Sequence, residues 1–477
     1  MPSNDNEIQY HLSFPLPYRA LLLIGLGIFG WASNLHGLDI LGVDAVSAMD
    51  LRTDTYSSNS VMPVHHSTSF RHTKAAILYH SVYRIFFSYA TACFFSWTIY
   101  RFVTQGDPLR VDAYGYIPGI TAIALLLILL CPYNIMFLHE RAKFTMAIRR
   151  CLFPAGSGAI YFSDVIFADI GTSFARVFGD IWLSLWMLKP GNSILVPPVE
   201  DYWSRWFFPL VMSFPFFLRF RQCLIEYNLP SNDSRKPLYN ALKYATSFPV
   251  IFLSAAQRTL STDMSKESEN KISGGSWQGP HPLFRLWLLA AAVNSLYSFW
   301  WDVTNDWGLD LLKIERTKAV DRHIPRPLIL PRLHSGTPLV NSRTSLDSQS
   351  SEDHPPVRIE LSDPPKYRHR QSCFGLRTIL FYPRAIYPVL IFVNLLLRMI
   401  WSVKLSTHMQ SSRDGSVAFF WLEVAELVRR WLWVFVRVEW ELIKKTHDKV
   451  PTSLSDERSG DEGEYEMIPN TPDVMGR

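Results

Sequence analysis

Apolar stretches of roughly 20 residues recur along the chain, the length an α-helix needs to cross a bilayer. Short polar segments separate them. The pattern predicts nine spans, at about 18–35, 75–100, 116–138, 161–188, 203–218, 238–257, 282–303, 378–403 and 416–438. The expected fold is all-α, a polytopic transmembrane helical bundle. The fifth stretch is short and carries Pro209 and Pro215, so it leaves the count open by one. Two polar stretches, roughly 325–372 and 447–477, lack hydrophobic periodicity and read as a disordered loop and a solvated tail. The first apolar run resembles a signal peptide in length. Its flank holds only Arg19, and no small-residue cleavage site closes it, so it reads as a retained span.

Loop charge orients the bundle. The segments after spans three, five and seven carry Arg141, Lys143, Arg149 and Arg150, then Arg219, Arg221, Arg235 and Lys236, then Lys313, Arg316, Lys318, Arg322 and Arg326. The alternate loops, such as 189–202 and 259–280, are nearly balanced. By the positive-inside rule the basic set is cytosolic. Nine spans then put the N-terminus outside or in a lumen and the C-terminus in the cytosol, where Lys444 and Lys445 follow the last span.

Composition alone would hide this. The mean hydropathy of +0.05 averages apolar spans with polar stretches. The net charge of +5 is small, and the basic residues scatter over short loops, which excludes a nucleic-acid surface. The five cysteines (Cys93, Cys131, Cys151, Cys223 and Cys373) show no metal-type spacing. The histidines show none either, and no nucleophile and base stand together. The chain therefore reads as neither an enzyme nor a holder of a cofactor.

The informative residues are charges inside the apolar runs, where they are expensive and usually face a partner, a cavity or a transported ion. Span four holds Asp164, Asp169, Arg176 and Asp180, with Asp169 and Arg176 two turns apart on one face and Arg176 and Asp180 neighbours at i,i+4. Lys243 lies inside the boundary of span six, and Asp302 and Asp306 close span seven one turn apart. Span eight has Arg398, and span nine has Glu426, Arg429 and Arg430, where Glu426 can pair with either arginine by spacing. Arg84 and Arg285 read as snorkelling or locally paired. Arginine forks and a lysine suit a tetrahedral oxyanion, and nearby carboxylates would orient the cations and permit release. Two readings stay open at this level: a polar pathway for an anion, and buried ion pairs that merely fix helix packing.

Ordered motifs then carry a resemblance. Arg219-Phe-Arg-Gln-Cys-Leu-Ile-Glu-Tyr227 is followed by Asn240-Ala-Leu-Lys-Tyr244 and by Trp301-Asp-x-x-x-Asp-Trp-Gly-Leu309. Next come Asn394-x-x-x-Arg398-x-x-Trp401, Glu426-x-x-Arg429-Arg430 and Arg437-Val-Glu-x-Glu441. Together they resemble the EXS-domain family of phosphate exporters and fungal ER-retention-defective proteins. The resemblance implies phosphate ligands at Lys243, Arg398, Arg429 and Arg430. It adds Asp302, Asp306, Tyr244 and Asp169 to the same polar site, and gives Trp401 and Glu426 gating roles.

It also implies a division into a short N-terminus (1–17), N-terminal transmembrane helices (18–160), an EXS-type domain (161–441) and a cytosolic tail (442–477). Four departures from the exporters shape the expectation. Only about 17 residues precede the first span, leaving no room for an SPX sensor domain, and the exporters' first helix has no counterpart. Trp440 stands where their signature has asparagine, and the loop at 325–372 is longer. The retention-defective branch fits better. For that branch the resemblance implies a Golgi membrane protein, with cycling through the ER left open, that returns inorganic phosphate from lumen to cytosol. Protein glycosylation and retention of lumenal ER proteins would depend on it. Its partners would be phosphate, the lipid bilayer and the cytosolic tails of Golgi glycosyltransferases. The rival is a sorting receptor or scaffold that retrieves those enzymes without moving an ion.

Overall fold

The computed structural model describes residues 9–49, 68–134, 136–154, 160–189, 191–195, 202–230, 232–270, 282–309, 376–377, 380–399 and 417–448. The stretch 325–372, the tail beyond 448, Cys373 and Trp401 lie outside these residues. Among the described residues the structure is helical and has no strand. The long elements are α1 (Leu16–Ile40), α2 (Thr68–Thr104), α3 (Tyr116–Leu130), α4 (Leu138–Leu152), α5 (Phe162–Ser173) and α6 (Ala175–Met187). They continue as α7 (Tyr202–Tyr227), α8 (Lys236–Ala245), α9 (Ser247–Asn270), α10 (Pro282–Trp301), α11 (Ile386–Arg398) and α12 (Val417–Asp448).

By length and composition, three stretches can cross a bilayer: Leu16–Ile40, Pro108–Leu130 and Arg205–Tyr227. Several other predicted spans are broken helices or carry too many charges to match that description. Span four divides at Phe174 into α5 and α6. Span six divides at Thr246 into α8 and α9, because Pro249 has no N–H to offer the Ala245 carbonyl. Span five departs from expectation in the other direction. Pro209 and Pro215 sit inside one helix running Tyr202–Tyr227, so the prolines do not interrupt it.

The polarity of the bundle is reversed relative to a water-soluble protein. Phe94, Phe102, Ile120, Ile123, Leu126 and Leu127 are exposed, while Asp302 and Glu439 are completely buried. A bilayer allows this, since lipid takes the apolar surface and polar groups must find partners inside. Arg84 and Arg285 follow the surface expectation, both being exposed. Arg141, read above as a loop charge, is buried. It donates to the carbonyls of Ile128, Cys131, Tyr133 and Met136, closing the end of α3.

The largest core cluster gathers Leu35 and Leu38 of α1, Ile166 of α5, Val303, Trp307 and Leu309 after α10, Tyr387 of α11, and Trp433 to Val438 of α12. Helix α12 packs against α1, α5 and α11 and so lies at the centre. Beside this core, α10 widens at Asp302–Asp306 into a single π-helical turn. Trp307 N–H closes on the Asp302 carbonyl (2.9 Å) and Leu309 N–H on the Val303 carbonyl (3.0 Å), with Gly308 at φ +61°. A Cβ on Gly308 would also overlap the Trp440 indole. Gly308→Ala is expected to cost about 1–2 kcal/mol for the left-handed backbone, plus displacement of Trp440. Thermal unfolding followed by tryptophan fluorescence checks it, and an unchanged midpoint would contradict the close approach.

Candidate functional site

Six segments bring their charged residues together in the interior. Pro237 sits in the first turn of α8, and Lys243 and Tyr244 lie on its buried face. At the α8–α9 junction, Thr246 and Ser247 donate to Asn294 Oδ1 (2.8 and 3.2 Å), which fixes the turn carrying Lys243 to α10. Lys243 Nζ then reaches both carboxylates of the π turn, Asp302 Oδ1 at 3.0 Å and Asp306 Oδ2 at 2.9 Å. Wide turns of this kind re-aim side chains, and they recur at functional sites.

Asp302 is the hub. Its Oδ2 accepts from Arg398 Nε (3.0 Å) and Nη2 (2.5 Å), and from Asn394 Nδ2 (3.3 Å), one turn apart on α11. Arg429 Nη1 of α12 approaches the same oxygen at 3.7 Å. Three cations from three helices therefore converge on one carboxylate, which has no access to water.

The network continues across α12 and α5. Glu426 takes Arg429 rather than Arg430, with Nε at 2.8 Å from Oε2 and Nη2 on Oε1, and it also accepts from Ser173 Oγ at 2.9 Å. Arg430 donates to Ser173 Oγ (3.0 Å) and Thr172 Oγ1 (3.1 Å). Asp169 does not face Arg176 as the helical spacing suggested. The break at Phe174 lies between them, and Asp169 pairs instead with Arg219 Nε at 2.9 Å. Tyr244 donates its hydroxyl to the same carboxylate oxygen.

Arg219 is the main correction to the sequence reading. It counted there as a cytosolic loop charge, whereas it is a buried member of this network. Its place in the arginine-phenylalanine segment was on the page, but an unbroken α7 was needed to carry it back into the bundle. Thr172 and Ser173 were likewise missed, being neutral side chains that only a three-dimensional neighbour makes informative, and Asn394, though it opens the motif with Arg398, had no role in the site.

At one end of the network, Arg176 contacts Asp180 (3.2 Å) and Glu423 (3.5 Å), the i,i+4 pair the spacing predicted joined by a carboxylate from α12. At the other, Arg437 lies 3.9 Å from Asp306 and 3.1 Å from Glu441. Glu423, Glu426, Arg430, Arg437 and Glu441 thus form a polar stripe along α12 at three-, four- and seven-residue steps. Asp164 belongs to neither end and pairs with Arg150 at 2.7 Å. That partner holds the Arg150 guanidinium above its usual range. Burial pushes the neighbouring Cys151 thiol up to about 11, so it stays protonated at neutral pH.

The arrangement is closed. A cavity of about 10 Å3, lined by Trp307, Asn394, Arg429 and Trp433 among others, has room for roughly one water. Arg429 and Arg430 each keep a buried Nη1 without a hydrogen-bond acceptor. Such donors are costly to bury, and they are what an arriving oxyanion would satisfy. For an anion to enter, cations must turn from their carboxylates toward it.

The model of the EXS family matches residues 14–443. This chain belongs to the EXS family. It is similar to Protein ERD1 homolog 1 of Schizosaccharomyces pombe, 26% identical over 90% of this chain and 91% of the relative. It is also similar to Protein ERD1 homolog 2 of the same yeast, 24% identical over 91% and 97%. A more partial likeness links it to Phosphate transporter PHO1 homolog 4 of Arabidopsis thaliana, 25% identical over 44% of this chain and 24% of that one. With these relatives and its apolar helices, this EXS protein is a multi-pass membrane protein.

Each motif given above from Arg219 to Arg430 contributes at least one residue to the network, and Trp401 lies outside the described residues. The departure at Trp440 has a packing explanation: its ring lies against Gly308 and under the Arg377 guanidinium at 5.1 Å. Glu439, one residue earlier, takes Arg377 (2.8 Å), the Phe381 N–H (2.9 Å) and the Tyr387 hydroxyl (2.5 Å). The signature at 437–441 therefore anchors the chain on both sides of residues 310–375.

Proposed function

We propose that this protein is a phosphate transporter of the Golgi membrane that returns inorganic phosphate from lumen to cytosol. The observation that carries the reading is the convergence of Lys243, Arg398 and Arg429 on Asp302, beside buried donors of Arg429 and Arg430 that lack an acceptor. A cage that three helices build around one carboxylate suits another oxyanion of similar reach. Asp302, Asp306 and Glu426 hold the cations in the closed state and repel the anion enough to let it leave. Glu426 is the most accessible of the three, with 35% of its side chain exposed, which suits a gating group. Trp401 keeps its proposed gating role on resemblance alone.

The nine-span topology belongs to the same proposal. Several contacts join segments that loop charge assigns to one side of the membrane. Asp112 accepts from Ser193 (2.8 Å), Ser81 donates to Glu140, and Lys445 reaches the Ala48 carbonyl (2.9 Å). The Golgi location, support of glycosylation and retention of lumenal ER proteins rest on the family resemblance. Contacts with glycosyltransferase tails would follow only from the scaffold reading.

The test is radiolabelled phosphate flux in proteoliposomes. The intact protein is expected to carry phosphate well above empty vesicles. An Arg429→Ala/Arg430→Ala variant that still elutes as a folded species should lose at least about 30-fold, as expected for deleting buried charged contacts. No flux over a range of pH and gradients would leave the sorting scaffold as the better account.

A further inference from the structure

The charge balance of the network selects among the protonation states of its substrate. Five cations belong to it: Arg219 on α7, Lys243 on α8, Arg398 on α11, and Arg429 and Arg430 on α12. The carboxylates are Asp169 on α5, Asp302 and Asp306 in the π turn, and Glu426 on α12. Each carboxylate has a lysine or arginine nitrogen within 3.0 Å. The remaining groups in contact are uncharged: the Tyr244, Thr172 and Ser173 hydroxyls and the Asn394 and Gln222 amides, with the Cys223 thiol packed in the same cluster as Tyr244. Arg437 borders the set at Asp306 and pairs with Glu441, which it shares with the half-exposed Lys444 at 3.6 Å, while Arg176 lies a turn away with Asp180 and Glu423. Among the described residues the network therefore carries a single positive charge in excess.

We infer that the site takes the phosphate monoanion, dihydrogen phosphate, and moves one net negative charge per phosphate. The inference rests on the transport reading above and specifies its substrate. A monoanion brings the buried network to neutrality. A dianion would leave it with an uncompensated negative charge, which a low-dielectric interior penalises heavily. The protonated oxygens of the monoanion also have acceptors to meet. Once Lys243 and Arg398 turn toward the substrate, Asp302 and Asp306 are free to take those protons in hydrogen bonds, a contact unavailable to an ion with no proton to donate. The same balance discriminates against sulfate, which has the same shape but remains a dianion across the physiological range.

The experiment measures the charge carried by each phosphate in proteoliposomes of the intact protein. With a tenfold gradient of total phosphate and equal pH on both sides, the voltage that nulls labelled phosphate flux is read. One net charge places it at about 59 mV and two charges at about 30 mV. The expected result is the higher voltage, a rate at fixed total phosphate that falls as pH rises through neutrality, and no competition from a tenfold excess of sulfate. The lower voltage, or sulfate competing as well as unlabelled phosphate, would overturn the inference while leaving phosphate transport intact. Absence of any protein-dependent phosphate flux would instead overturn the transport reading, and this inference with it.

Discussion

Asp302→Ala is expected to destabilise the folded protein by at least about 3–5 kcal/mol, the range for removing one partner of a buried ion pair. The residue is fully buried and is the shared acceptor for Lys243, Arg398 and Asn394, with Arg429 at 3.7 Å. Alanine strips Arg398 of its carboxylate and Asn394 of its acceptor, while Lys243 keeps only Asp306 and Arg429 only Glu426. Asp302→Asn keeps the shape and one acceptor oxygen, so it should fall between alanine and the parent protein. Thermal unfolding in detergent, read by fluorescence-detected size exclusion, ranks the three. If all three melt together, the hub assignment fails.

The second large effect concerns Asp169 and Arg219, which bury nearly all of both side chains against each other. Asp169→Ala or Arg219→Ala alone is expected to cost about 3–5 kcal/mol. The paired replacement Asp169→Leu/Arg219→Met should recover most of that loss, because exchanging a whole buried pair for apolar side chains is often close to neutral. A remainder of about 1–3 kcal/mol is expected from the Tyr244 hydroxyl, which loses its acceptor. Strict additivity of the two single losses in this cycle would show that the residues act independently.

The sequence exposed the class of fold because lipid imposes one dominant signal, the long apolar run. It also exposed the ionisable part of the site, since a charge inside such a run is conspicuous without any structure. Lys243, Asp302, Asp306, Arg398, Arg429 and Glu426 all meet in one network. The pairings were less legible. Periodicity assumes a continuous helix, and the junctions at Phe174 and Thr246 break that assumption. Asp169 was therefore assigned to the face of Arg176, and its actual partner was counted as a loop residue. Glu426 had two arginines within reach by spacing, and only packing against Ser173 decides between them. The hydroxyls of Thr172 and Ser173 carry no sequence signal, because serine and threonine are common in any membrane helix.

One feature of the cytosol-assigned end bears on how such chains can diverge. Residues on both sides of 310–375 are held by neighbouring positions of α12, Gly308 against Trp440 and Arg377 against Glu439. Those anchors tie both flanks to the helix that carries Glu426, Arg429 and Arg430. For a flexible connection with fixed ends, doubling the length adds only about 0.6 kcal/mol of closure entropy. Descendants of this chain can therefore lengthen, shorten or replace that stretch, even graft a new folded module into it, while the anchors keep the charged network in register. The connection is a site of evolutionary freedom, and the two residues of α12 that grip its ends are what make it so.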